Sequence, residues 1–176
     1  MTHAVPPASR GTAFVHYIIE KCKTDTGLAA ALKRADNPAT EYQSWEILAR
    51  FGIDLEKTYQ RLPFTTIAAA VARAKLDANG TARLGAALAS CYEDAEKNDQ
   101  AKARLLRLLA CDNVQECCRV LRSLLSLLDS KAKVRLDYAH LLDDLLLFNL
   151  RPTDIKARWA QQFYHRQTEK TPTEAS

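Results

Sequence analysis

The chain of 176 residues carries a net charge of +4, is 47% hydrophobic, and contains only five glycines and six prolines. That is enough apolar material for one domain or for two small helical lobes sharing a seam, and it excludes a disordered chain. Abundant Ala and Leu, with no alternating β-branched window, exclude a sheet protein, so the expected fold class is all-α, a compact multi-helix bundle of two small lobes packed together.

Residues 1–11 read as a loose N-terminal tail. Helical sequence begins near Thr12, with Phe14, Tyr17, Ile18 and Cys22 inward, and stops between Thr24 and Gly27. A second short helix, Leu28 to Ala35, ends in Lys33 and Arg34, which suit the negative end of a helix dipole; a phosphate contact is the sharper alternative. Asn37-Pro38 reads as an N-cap plus first-turn proline, opening a helix with Tyr42, Trp45, Leu48, Ala49 and Phe51 inward and closing at Gly52. Asp54 is placed to cap the next helix, Leu55 through Lys75, in which Pro63 either kinks the chain or separates two pieces. The alanine-rich run after Ile67 allows close helix approach, Asn79-Gly80 is a turn, and Gly85 is a place where a neighbouring backbone can pass. The polar stretch Glu93 to Gln100 is the candidate boundary between an N-terminal lobe, 12–98, and a C-terminal lobe with a basic face, 99–167; a tail, 168–176, follows.

Ala101 to Leu128 is the most informative segment. Val114, Cys117, Cys118, Leu121, Leu124, Leu125 and Leu128 recur at steps of three and four, one side of a helix, while Gln115, Arg119, Arg122 and Ser126 repeat on the other. The preceding helix puts Leu105, Leu108 and Leu109 inside and Arg104, Arg107 and Cys111 on an adjoining stripe. Asn113 and Glu116 form a capping box between the two. Asp129 to Leu136 reads as a basic loop, Asp137 as the cap of a helix carrying Tyr138, Leu141, Leu142, Leu145 and Phe148 inward, and the chain after Arg151-Pro152 as a last helix with Ile155, Trp159, Phe163 and Arg166 in register.

The charge is unevenly placed. Residues 1–100 balance, and Ala101 to Leu136 holds eight basic residues against three acidic ones, an excess suited to an anionic partner such as nucleic acid or an acidic protein surface. A solvated, solubilising face is the plainer reading. The five cysteines follow no C-x-x-C spacing, so no disulfide framework or zinc site is expected and a reduced, cytoplasmic setting is. No signal peptide and no membrane-length apolar run are read in the sequence. His140 with Asp143 or Asp144 is half a metal site at most; His3, His16 and His165 complete no ligand set, and no phosphate loop or nucleophile elbow occurs. No metal, cofactor or catalytic residue is therefore assigned. Arginines on consecutive helices suit sequence-tolerant contact with a nucleic-acid backbone, whereas the aromatics Trp45, Trp159, Tyr138 and Phe163 fall on apolar faces and read as core.

Taken in order, L-K-R-A-D-N-P (Leu32 to Pro38), the helix ending in Phe51-Gly52, G-T-A-R-L-G-A-A-L (Gly80 to Leu88), R-L-L-R-L-L-A-C-D (Arg104 to Asp112), L-R-S-L-L (Leu121 to Leu125), L-D-Y-A-H-L-L-D-D-L (Leu136 to Leu145) and W-A-Q-Q-F-Y (Trp159 to Tyr164) resemble the CasB family, the small subunit of the type I-E CRISPR surveillance complex Cascade. The resemblance runs from about residue 12 to about residue 166. It implies a non-enzymatic helical subunit that sits as a pair in the complex, contacts the backbone subunits and the large subunit, and holds CRISPR RNA and target DNA, above all the displaced strand of the R-loop. Carried over by position, it implies Lys33, Arg34, Lys57, Arg104, Arg122 and Arg151 as nucleic-acid contacts; Arg107 and Arg119 come from helical geometry alone. Relatives often place Arg just after the Leu-Gly pair, where this chain has Ala86, and Arg83 is the candidate to take over that contact. Two other readings stay open: a purely structural adaptor whose basic face meets protein, and a metal-dependent phosphohydrolase built on His140 and Asp144.

Overall fold

The computed structural model describes residues 7–165, and regular structure there is helical: nine α-helices and two 3-10 turns among the described residues. Helix α1 (Arg10–Thr24) starts earlier than Thr12 because Ser9 caps it, its hydroxyl accepting from the Thr12 amide at 3.1 Å. Arg10 and Gly11, expected in the tail, are thus helical. Asp25 ends α1 and caps α2 (Thr26–Leu32) by accepting from the Leu28 amide at 2.9 Å. Phe14 and Ile18 are buried, as expected, with Tyr17 and Cys22 half-buried.

The stretch after Asn37-Pro38 departs most from expectation. Residues 37–40 form turns, Glu41–Ser44 is a 3-10 helix, and only α3 (Trp45–Arg50) is α-helical. Three residues per turn in place of 3.6 shifts the register. Ile47 and Leu48 take the buried positions, and Tyr42, Trp45 and Ala49, read as inward from the sequence, face outward instead. Phe51 does turn in, packing edge-on against Phe14 with ring centroids 5.1 Å apart.

Helix α4 (Thr58–Ala74) begins after Lys57 and runs through Pro63 without a break; the carboxylate of Asp54, expected to cap it, accepts from the Glu56 amide instead. Every residue from Pro63 to Ala72 is buried. Small alanine side chains let α1, α2, α7 (Val114–Lys131) and α8 (Tyr138–Leu147) pack around this one helix. A helix apolar on all sides is stable only when enclosed in this way. It ends at Lys75, the one non-glycine residue with positive φ (49°) among the described residues.

A strap follows. The Ala82 amide donates to the Arg135 carbonyl at 2.9 Å, the Asp137 amide to the Ala82 carbonyl at 2.8 Å, and Asn79 bonds both Asp137 and the Tyr138 amide. Gly80 is needed there, because a Cβ would stand 2.3 Å from the Arg135 carbonyl oxygen. Helix α5 (Leu84–Ser90) then packs on α9 (Pro152–His165). At Gly85 a Cβ would lie 2.1 Å from the Trp159 carbonyl oxygen, which is the backbone passage the sequence suggested.

Helix α6 (Asp99–Leu109) is capped by Asn98 and α7 by Asn113, which accepts from the Glu116 amide at 3.0 Å while Glu116 reaches back to the Asp112 amide at 2.9 Å. All seven apolar positions read from the α7 periodicity are buried. The helix extends to Lys131, so the basic loop is shorter than Asp129 to Leu136, and Cys111, expected beside the arginines, is buried. Asp137 caps α8 through the His140 amide. One apolar core contains residues from Phe14 to Phe163 and so draws on both halves of the chain. Arg166 and the tail 168–176 lie outside the described residues, as does His3.

Two carboxylates of α8 tie helices together. Asp143 accepts from the Gly11 amide at 2.9 Å, fixing the start of α1. Asp144, 3% exposed, accepts from the Trp159 indole N–H at 2.9 Å and lies 3.3 Å from the Arg158 guanidinium and 3.7 Å from His140 Nε2. Gly85→Ala is expected to destabilise the fold by about 1–3 kcal/mol or more, because backbone must move to admit the methyl; the fall should appear in the urea midpoint at unchanged m-value. Asp144→Leu, which leaves the indole N–H buried without an acceptor, should cost about 1–3 kcal/mol in the same measurement, whereas a metal-ligand role alone would predict no such loss in metal-free buffer.

Candidate nucleic-acid interface

Asp36, just beyond α2, gathers several of the basic residues. Its side chain is 6% exposed, lies 2.6 Å from Arg73 Nη1 through one oxygen and 3.8 Å from Arg122 Nε through the other, and Arg73 also donates to the Lys33 carbonyl at 3.2 Å. The end of α2, the last turn of α4 and the middle of α7 therefore meet at one carboxylate. Arg122 is half exposed and held loosely, so its forked donors stay open to an anion. Arg34 is exposed, its Nη2 3.5 Å from Gln43 Oε1 and its carbonyl accepting from the Thr40 hydroxyl. Arg122 is thereby brought together with Arg73, a residue sequence reasoning did not select, while the Arg34 guanidinium turns to Gln43 and Lys33 meets Arg73 only through its backbone carbonyl. A lone arginine at the end of an alanine-rich helix carries no local signal of a partner nearly forty positions away.

Other arginines lie on α6 and α7. Arg119 is exposed one helical turn before Arg122. Among the described residues, no carboxylate lies within 4 Å of Arg104, Arg107, Arg119 or Arg151. Burial raises the Cys91 thiol while Lys131 and Arg104 pull it down, which sets both cations near the C-terminal end of α5. Arg151 is exposed at the α8–α9 junction, two residues after Asn149, whose Oδ1 accepts from the Val114 amide at 2.9 Å. That bond holds the junction against the start of α7.

Lys57 and Arg83 stand apart from this group. Lys57 pairs with Asp54 at 3.2 Å beside the start of α4, about 24 Å along the helix from Arg73 by the rise per residue. Arg83 pairs with Asp137 at 3.1 Å beside the strap. A phosphate reaching either one competes with a carboxylate; at Arg104, Arg107, Arg119 and Arg151 it does not.

The remaining chemistry-bearing groups have structural partners. No set of three or more His, Cys, Asp or Glu arranged to hold a metal ion occurs among the described residues, and both oxygens of Asp144 face donors of its own chain. Burial raises Cys118 to about 12. Donation to Cys111 and burial raise Cys117, and the same thiol–thiol hydrogen bond lowers Cys111 to about 7. Cys117 and Cys118 act as small core side chains on the buried face of α7. Of the aromatics read as core, Tyr138, Trp159 and Phe163 are buried, and Trp45 is not. No helix among the described residues is long and apolar enough to cross a membrane.

No curated protein matches the chain. Solved structures that share its fold include CasB from M. ruber, 24% identical with a TM-score of 0.72 over 93% of this chain and 97% of that one. A CRISPR-associated protein of the Cse2 family from Thermus thermophilus is 24% identical, with a TM-score of 0.69 over 90% of this chain and 99% of that one. A chain of a CRISPR RNA-guided surveillance complex is also 24% identical, with a TM-score of 0.69 over 91% and 92%. The family described as CRISPR-associated protein Cse2 matches residues 28–164, from α2 to the last turn of α9. The resemblance to CasB read from motif order is borne out, and the chain belongs to the Cse2 family of CRISPR-associated proteins.

Proposed function

We propose that this chain is a non-catalytic small subunit of a type I-E Cascade surveillance complex that holds nucleic acid by its backbone without reading sequence, chiefly the displaced strand of the R-loop. The observation that carries the proposal is the set of arginines without a carboxylate partner among the described residues, Arg104, Arg107 and Arg119, together with Arg122, which shares the single carboxylate of Asp36 with Arg73. Guanidinium groups fixed on capped helices are preorganised donors for phosphate, and contact with backbone alone tolerates any sequence. Exchange of a DNA duplex for an RNA–DNA duplex is nearly balanced, so a modest grip on the displaced strand tips it.

The subunits it would meet are the backbone and large subunits and a second copy of itself. Exposed Leu106, Leu147 and Leu150, the last 79% exposed, favour protein contacts on α6 and the α8–α9 junction. They supply the adaptor reading with its own surface and leave the arginines for nucleic acid. Lys57 and Arg83 are proposed as outlying contacts, reached once their carboxylates are displaced. Nothing in this reading requires a metal or a cofactor, and the cytoplasm is the compartment it implies.

Titration of the purified protein with single-stranded DNA of unrelated sequences across a salt series tests the proposal. Affinity should fall linearly on log–log axes and be the same for each sequence. Arg104→Ala with Arg119→Ala should flatten the slope by about 0.7 for each single-strand phosphate that the variant no longer neutralises. An unchanged slope removes both residues from the interface, and cleavage that requires a divalent metal would overturn the non-catalytic assignment.

A further inference from the structure

The 3-10 turn that overturned the expected burial of Tyr42 and Trp45 places them together on the surface. Side chains at i and i+3 eclipse in a 3-10 helix, so these two rings, three residues apart across its C-terminal end, project from one side. Tyr42 is 60% exposed and Trp45 39% exposed, unlike the fully buried Trp159. Trp45 is held from behind: the Arg61 guanidinium lies 5.7 Å from its ring centroid and is itself fixed by Glu41 and by the Leu55 carbonyl. Gln43, between the two aromatics in sequence, lies 3.5 Å from Arg34 Nη2, which brings the Arg34 guanidinium to this turn.

Resting on the nucleic-acid reading above, we propose that Tyr42 and Trp45 form a stacking platform for the bases of a single strand whose backbone is held by Arg34. Two aromatics with open faces beside a guanidinium are the elements of sequence-tolerant single-strand binding, because every base has a π-face. Charge complementarity selects the occupant. A protein partner docking through these rings would need an acidic group opposite Arg34, whereas a nucleic-acid strand brings a phosphate with every base.

The experiment compares oligothymidylate with an abasic oligonucleotide of equal length. The native protein should bind oligothymidylate more tightly, and Tyr42→Ala should weaken that binding by about 5- to 100-fold while leaving the abasic strand unaffected; Tyr42→Phe should restore it. Because Trp159 is buried and Trp45 is not, quenching of tryptophan fluorescence by oligothymidylate, and not by the abasic strand, reports the stack at Trp45 directly. Equal binding of both strands by native and variant proteins would overturn the platform and leave the phosphate contacts standing. Failure of both strands to bind at low salt would overturn both readings and assign the aromatic face to a protein.

Discussion

Enclosure of α4 is the constraint on which the rest of the structure depends. Ten consecutive residues of that helix, Pro63 to Ala72, lie out of solvent, and an alanine-rich helix has little side-chain volume with which to fill space. Its neighbours must therefore come close and supply the bulk themselves: Phe14 and Ile18 from α1, Leu121 and Leu125 from α7, Leu141 and Leu145 from α8. Each of those helices has to turn its large side chains toward α4. What is left for solvent is polar and, on α7, rich in arginine. The basic surface is in this sense a by-product of how the core is closed.

That arrangement also explains where α4 itself contributes charge. Its flanks admit no charged group, so its basic residues occur toward the ends, Arg61 in the first turns and Arg73 in the last. Each finds a carboxylate from the segment between α2 and α3, Glu41 for Arg61 and Asp36 for Arg73. These two pairs pin the irregular stretch 36–44 against α4 from both sides. The same two pairs hold the Tyr42–Trp45 turn and the Lys33–Arg34 segment beyond α2 to a single helix.

Much of this was legible in the chain because it was written locally. The α7 periodicity named every buried residue of that helix, Asn113 and Asp137 announced caps that the structure uses, and Gly85 marked a backbone crossing. The misreadings fall where local rules compete or are silent. Asn37-Pro38 permits either an α-helix or a 3-10 turn, and the choice rests on tertiary contacts of Glu41 and Ser44 with α4. Ser9 precedes two weak helix formers, Gly11 and Thr12, and its cap succeeds because Asp143, far along the chain, accepts the Gly11 amide. Likewise the Asp36 cluster joins residues that no window of sequence contains. Positions of arginines on a helix face are readable from spacing; their gathering with arginines from other helices is a property of packing.

The strap between Ala82 and Leu136 has a further consequence for how the molecule assembles. It turns α5, α6 and α7 into a closed circuit whose two ends lie in irregular backbone. Closing a circuit of that length costs configurational entropy that a few hydrogen bonds do not offset, so the α4–α7 and α5–α9 packings must already hold its ends in register. The strap is accordingly a long-range contact that depends on those packings. Once formed, it makes the amides of two loops report on the integrity of three helices, and opening either loop releases the other.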